Sequence, residues 1–164
     1  MRIRFILLLP VFVLCACGFH LRGTQVATGT GISELAIKSV SAPLIMEQVS
    51  SLLQLGGTRI VEPTDKAGHV LTLRNEAFDR DVLSVSADTG KVKEYQLTLH
   101  VIMSLSGDND KLLVNNETVS VTRDYTFDES SILGKSNEET SLRNDLVRQV
   151  AAQIVRRVNA IIGN

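Results

Sequence analysis

Cysteine is scarce in this sequence: two in 164 residues allow at most one disulfide, which excludes a disulfide-built miniprotein. Eleven glycines and three prolines are too few for a collagenous or low-complexity chain. No heptad array suggests a coiled coil. A basic surplus is missing too. Seventeen Lys and Arg stand against 18 Asp and Glu, a formal charge of −1, which argues against nucleic acid as a partner. Aromatic side chains make up only 4% of a chain that is 44% hydrophobic, an imbalance that the N-terminus partly explains. The apolar run there, Phe5 to Leu14, is ten residues, whereas a bilayer span needs about 20. The length fits one domain.

What is present begins with that run. Arg2 and Arg4 precede it, giving the charged and apolar regions of a secretion signal. Leu14-Cys15-Ala16-Cys17 follows and resembles the bacterial lipobox, with Leu three before and a small residue one before an obligatory Cys. The thiol is what the chemistry requires. It forms a thioether with a diacylglyceryl group, and cleavage then frees the cysteine amine for an N-acyl chain. Residues 1–16 are thus expected to be a lipoprotein signal peptide, and Cys17 the lipidated first residue of the mature protein. Several acyl chains meet the requirement of more than one for stable anchoring. Gly18 stands where Asp would retain a lipoprotein in the inner membrane, so outer-membrane delivery is expected. Removal of residues 1–16 leaves 148 of the 164 residues, takes Arg2 and Arg4 away, and brings the charge to −3. Cys15 leaves with the signal and Cys17 carries lipid, so no disulfide remains.

Residues 17–31, with Gly18, Gly23, Gly29 and Gly31 among threonines, read as a lipidated N-terminus and tether, and 32–164 as a single domain. Leu35-Ala36-Ile37 predicts a short strand. Pro43 opens a helix whose apolar positions Ile45, Val49, Leu52 and Leu53 share one face, and Gly56-Gly57 ends it. Thr58–Glu62 is a brief extended segment. Three long β-type stretches follow. The first runs from Val70 to about Ala87, with a bulge or bend expected at Asp79-Arg80-Asp81. The second alternates Tyr95, Leu97, Leu99, Val101 and Met103 with polar residues. The third alternates Val119, Val121, Arg123, Tyr125 and Phe127 with Thr and Ser. Such alternation buries one face and wets the other. The last segment is a helix with a stripe of Leu142, Leu146, Val150, Ile154, Val158 and Ile161, and Ser136 with Glu139 suggests a capping box at its start. The order predicts an α+β two-layer sandwich, two helices packed on one face of a mostly antiparallel four-stranded sheet, with the other face polar and open.

Catalytic patterns are lacking. His20, His69 and His100 show no metal-ligand spacing, and no nucleophile elbow or phosphate-cradling glycine loop occurs. Neither a metal nor a cofactor is expected, apart from the covalent lipid. His100 suits an ordinary surface position on a polar strand face, and Asp79, Asp81 and Asp88 suit turns and bends. The cations are more informative. Lys91 and Lys93 follow the Asp88-Thr89-Gly90 turn at the tip of the central hairpin, Arg80 sits at the expected bend, and Lys135 in the expected loop before the last helix. Near an apolar surface these four could pair with lipid phosphates, although ordinary solvated loop charge is the simpler reading. Arg123 is odd in an apolar row, where it must either pair with a carboxylate or snorkel to the sheet edge.

Cys17-Gly18-Phe19-His20-Leu21-Arg22-Gly23 resembles the mature start of the LPS-assembly lipoprotein LptE family. Glu94-Tyr95-Gln96-Leu97 is similar to that family's central strand, and Arg123-Asp124-Tyr125-Thr126-Phe127 to its last one, with Asn137-Glu138-Glu139 at the following helix. Element order and length agree over the whole mature chain. The resemblance implies a protein lodged in the lumen of the outer-membrane β-barrel LptD, which it helps assemble and plugs. It implies lipopolysaccharide as ligand and a place in the translocon that delivers it to the outer leaflet, facing the periplasm or the barrel lumen. A polar sheet face suits a polar barrel interior. Two other readings stand beside it: a periplasm-facing lipoprotein that binds peptidoglycan or phospholipid without a barrel, and a hydrolase with a nonstandard site.

Overall fold

The computed structural model describes residues 31–64, 67–126 and 132–163, with 132–137 given by backbone alone. The signal segment, Cys17 and the tether lie outside the described residues.

Strand β1 (Glu34–Val40) buries Leu35, Ala36 and Ile37. Ser41 then takes a left-handed φ of 62° and turns the chain into helix α1 (Pro43–Leu55). Proline at the first helical position loses nothing, because its missing N–H would have had no partner within the helix. Ala42, at the cap position, has no side-chain acceptor to offer. The acceptor comes instead from the sheet: the Ile45 N–H donates to Glu76 Oε2 at 3.0 Å. Gly56 and Gly57 close the far end, donating to the carbonyls of Leu52 (3.1 Å) and Gln54 (3.0 Å). Gly57 has a φ of +91°, which a side chain would strain. The chain then enters β2 (Arg59–Val61).

β3 (Val70–Val85), β4 (Val92–Ser106) and β5 (Leu112–Thr126) form two antiparallel hairpins. The sheet order is β2-β1-β3-β4-β5, with β1 parallel to both of its neighbours. The α+β sandwich expected from the sequence is therefore correct, but the sheet has five strands rather than four and is mixed. The added strand is the short segment at Arg59–Val61. Three residues are too few to show a period of two, and only the crossover through α1 brings them beside β1.

β1 pairs with β3 only as far as Val40↔Arg74. Beyond that point β3, β4 and β5 continue as an arm. The departure is marked by Asn75, at a φ of 55°, and a register shift between Arg74 and Ala77. A second shift lies between Val82 and Ser84. The bulge or bend expected at Asp79-Arg80-Asp81 is absent, since those residues pair in register with Thr98, Leu97 and Gln96. Asparagine tolerates the left-handed conformation that the bulge needs, and the aspartates are ordinary open-face strand residues.

Helix α2 (Ile132–Ile162) spans 31 residues. It begins four residues ahead of Ser136, so the expected Ser136–Glu139 capping box is not its start. Leu146, Val147, Val150, Ala151, Ile154, Val155 and Val158 are buried against Ile45, Val49 and Leu53 of α1 and the inward rows Leu71, Leu73 and Leu97–Leu105. Each such aliphatic side chain contributes about 1.5–3 kcal/mol when fully buried. The opposite sheet face is polar, as expected. Thr98 and Thr122 hydroxyls lie 3.1 Å apart, Gln96 donates to Asp124 at 3.0 Å, and Arg74 bonds Asn116. His100 Nδ1 lies 3.3 Å from Asp79 Oδ2.

Candidate functional site at the arm

The inward row of β4 changes character along its length. Met103, Val101, Leu99 and Leu97 are buried, Tyr95 follows, and Lys93 is the exposed last member. Tyr95 pairs across the strands with Tyr125, and the rings stack at 5.7 Å with 24° between their planes. Arg80, opposite Leu97, lays its guanidinium 4.5 Å from the centre of the Tyr95 ring. Its Nη1 also donates to Glu139 Oε2 at 3.2 Å. The same carboxylate oxygen accepts from the Tyr125 hydroxyl at 3.5 Å. One turn further along α2, Arg143 stands 5.1 Å over the Phe78 ring. The Glu139 carboxylate and the Arg143–Phe78 contact thus clamp the first half of α2 to the arm, and the Arg80–Tyr95 contact braces the arm side of the clamp.

The clamp perturbs its own ionisations. Burial pushes the Tyr125 phenol above its usual 10, with Glu139 adding to the rise and Arg80 opposing it. Burial works against the Arg80 charge. Glu139 outweighs it, together with the tyrosines, and the guanidinium is held above its usual range.

Beyond the clamp the arm tip is apolar and uncovered. Val82, Leu83 and Val85 are 55%, 48% and 55% exposed, enough to leave about half of each residue available for contact. The turn that follows is held by Gly90 N–H to Ser86 O at 2.8 Å and Ser86 N–H to Lys91 O at 2.7 Å. Lys91 and Lys93 are exposed on its return limb. An apolar tip beside ammonium groups fits a ligand with acyl chains and an anionic head.

Of the residues singled out from sequence, Arg80, Lys91 and Lys93 therefore share the arm. Arg80 is engaged by Glu139 and Tyr95. Lys135 was expected in a loop, but its backbone lies within α2, one turn before Glu139 and so at the arm end of the helix. Cys17 lies outside the described residues. The clamp partners Glu139, Tyr95, Tyr125, Phe78 and Arg143 were missed as a group, because α2 and the strands are far apart in sequence and only register brings them together. Among the described residues, no group of three or more His, Cys, Asp or Glu side chains could hold a metal ion. No helix among them is long and apolar enough to cross a membrane.

Among known proteins, the family profile described as lipopolysaccharide-assembly, LptE, matches residues 32–158. The LPS-assembly lipoprotein LptE of Pectobacterium atrosepticum is 31% identical over 160 residues, covering 95% of this chain and 84% of the relative. That of Photorhabdus laumondii is 30% identical over 156 residues, covering 92% and 81%. The crystal structure of rare lipoprotein B from Shewanella oneidensis superimposes with a TM-score of 0.67 at 25% identity, covering 77% of this chain and 94% of that one. The solution structure of a lipoprotein B from Nitrosomonas europaea reaches a TM-score of 0.73 at 23% identity over 87% and 91%, a likeness of fold.

Proposed function

This chain belongs to the LptE family of lipopolysaccharide-assembly lipoproteins, and from that premise we propose that it is the lipid-anchored subunit of the lipopolysaccharide translocon. The family is not enzymatic. In this reading, acyl chains on Cys17 hold the protein in the outer membrane, and the domain sits within the LptD β-barrel, which it helps assemble and plugs. Lipopolysaccharide meets the arm tip, with its acyl region against Val82, Leu83 and Val85 and its phosphates near Lys91, Lys93 and Lys135.

The observation that carries this reading is the family match over residues 32–158, nearly all of the described domain. Two structural features support it. The open sheet face is a ladder of Thr, Ser, Gln and Asp, which suits the polar, water-lined interior of a barrel. The exposed apolar residues of the arm adjoin cations in a chain whose mature charge is mildly acidic, so attraction to anionic lipid must be local.

Mild-detergent purification of the intact lipoprotein from outer membranes tests the assembly. A large barrel in stoichiometric amount is expected, and its absence would overturn the translocon reading in favour of a barrel-independent envelope lipoprotein. The ligand contact has its own test. Lys91→Ser, Lys93→Ser and Lys135→Ser combined should reduce lipopolysaccharide retention severalfold, each lost contact between solvent-exposed charges being worth about 0.2–1 kcal/mol. Unchanged retention would remove the lysines from the site.

A further inference from the structure

The long edge of the sheet carries features that the arm does not explain. β5 is an outermost strand of 15 residues, and among the described residues it pairs only with β4. From Glu117 to Thr126 it runs opposite β4 without a register shift, so ten consecutive residues present one regular, unpaired outer edge. Natural proteins usually shorten, twist or cover such an edge. Here the irregularity is confined to one end, around Asn116 at a φ of 49°.

Beside that edge lies a cleft of about 370 Å³ between β5 and the C-terminal half of α2, lined by Glu117, Val119, Gln153, Arg156 and Arg157. Arg157 pairs with Glu117 at 2.9 Å. Arg156 makes no ion pair among the described residues. Neither does Arg123, which lies opposite the buried Leu97 and therefore in the helix-side row of β5. Three guanidinium groups against one carboxylate give this flank a net positive charge, in a chain that is acidic as a whole.

We propose that the outer edge of β5 and the adjoining cleft receive an extended, carboxylate-bearing segment of a partner protein, which adds to the sheet as a sixth strand. Main-chain hydrogen bonds to the edge would supply affinity. A strand added about 4.8 Å from β5 points alternate side chains toward the helix side. Carboxylates there meet Arg123 and Arg156, and small apolar residues meet Val119. A second copy of the chain is disfavoured as occupant, because it would bring the same cationic flank to the edge. This site is separate from the arm tip, so it stands or falls independently of lipopolysaccharide binding there.

The test uses the full chain in mild detergent and three labelled ten-residue peptides followed by fluorescence anisotropy. One alternates Glu with Val, one alternates Lys with Val, and one is the Glu peptide N-methylated at alternate amides. The Glu peptide should bind, protect the amides of residues 118–124 from hydrogen exchange, and bind about tenfold more weakly to an Arg123→Ser, Arg156→Ser double variant. Both positions are exposed, so the variant should keep its fold, with circular dichroism as the check. The Lys and N-methylated peptides should bind at least about tenfold more weakly than the Glu peptide. Equal binding of the three peptides, no binding at millimolar peptide, or self-association of the chain through β5 in sedimentation would each overturn the proposal.

Discussion

Glu139 Oε2 accepts from both Arg80 and Tyr125, so a single carboxylate joins α2 to two strands of the arm. Its ion pair is partly exposed, and solvent screening keeps such a pair to about 0.2–1 kcal/mol. The Arg80–Tyr95 contact adds about 0.5–1 kcal/mol at a comparable site. Glu139→Ala should therefore cost about 1 kcal/mol in urea unfolding, and Arg80→Ala somewhat more, since it removes both contacts. The pH dependence follows from Tyr125. Its phenol ionises at a higher pH in the folded state than in the unfolded one, mainly through burial. Below about pH 10 the phenol is neutral in both states and nothing changes. As pH rises past 10 the unfolded chain loses its proton first, so stability falls until the folded phenol also ionises. Denaturation midpoints should thus be flat to about pH 10 and decline above it. Tyr125→Phe should flatten that decline and Glu139→Ala only lessen it, because the carboxylate is the smaller cause. Gly31 is a different residue-scale constraint. Its φ is +65°, and a Cβ there would lie 2.5 Å from the Gly163 carbonyl oxygen. Gly31→Ala should cost more than the roughly 1 kcal/mol of the backbone conformation alone, and thermal unfolding would register it.

At the scale of elements, α1 depends on the strand it packs beside. The Glu76 carboxylate takes the place of an N-cap side chain, and the Glu76 N–H in turn donates to Ser41 O at 2.9 Å. Glu76→Ala should cost about 1 kcal/mol of stability, as loss of an N-cap acceptor does, and Glu76→Gln clearly less, because an amide oxygen can still accept. Urea midpoints of the two variants separate these outcomes. The same elements show what sequence reveals and what it hides. The inward rows of β4 and β5 and the stripe of α2 were legible because each depends on a period that burial enforces. The β3 bulge at Asn75 was not, because it answers to α1: Asn75 turns the strand where Glu76 must reach the helix. The start of α2 at Ile132 was hidden by a Ser-x-x-Glu spacing whose glutamate serves Arg80 instead. β2 was hidden by its length. The site was legible in part. Charge and position pointed to Arg80, Lys91 and Lys93, whereas the tyrosine stack required the register of Tyr95 against Tyr125.

The molecule as a whole is unevenly supported. At one end both helices cover the sheet, and Leu71, Leu73, Leu97, Leu99, Met103 and Leu105 are fully buried. Along the arm the covering narrows to the first half of α2, and past the clamp Val82, Leu83 and Val85 have little over them. Opening free energy follows buried apolar contact, so the two ends should not open together. Native-state hydrogen exchange on the intact lipoprotein in detergent should show the slowest amides in 71–73 and 97–105, near the global unfolding limit, and much faster ones in 82–94. The clamp divides the two regions. Arg80→Ala should accelerate exchange in 82–95 while leaving 99–105 within the small shift expected from its global cost. A uniform acceleration across the sheet would instead mean that arm and core unfold as one unit. The graded outcome has a functional meaning in the proposed role. A tip that opens without unfolding the core can adapt its apolar surface to a bulky lipid, and the helices keep the sheet face rigid. Lipopolysaccharide added to the same experiment should then slow exchange in 82–94 selectively, and the triple lysine variant should lose that protection.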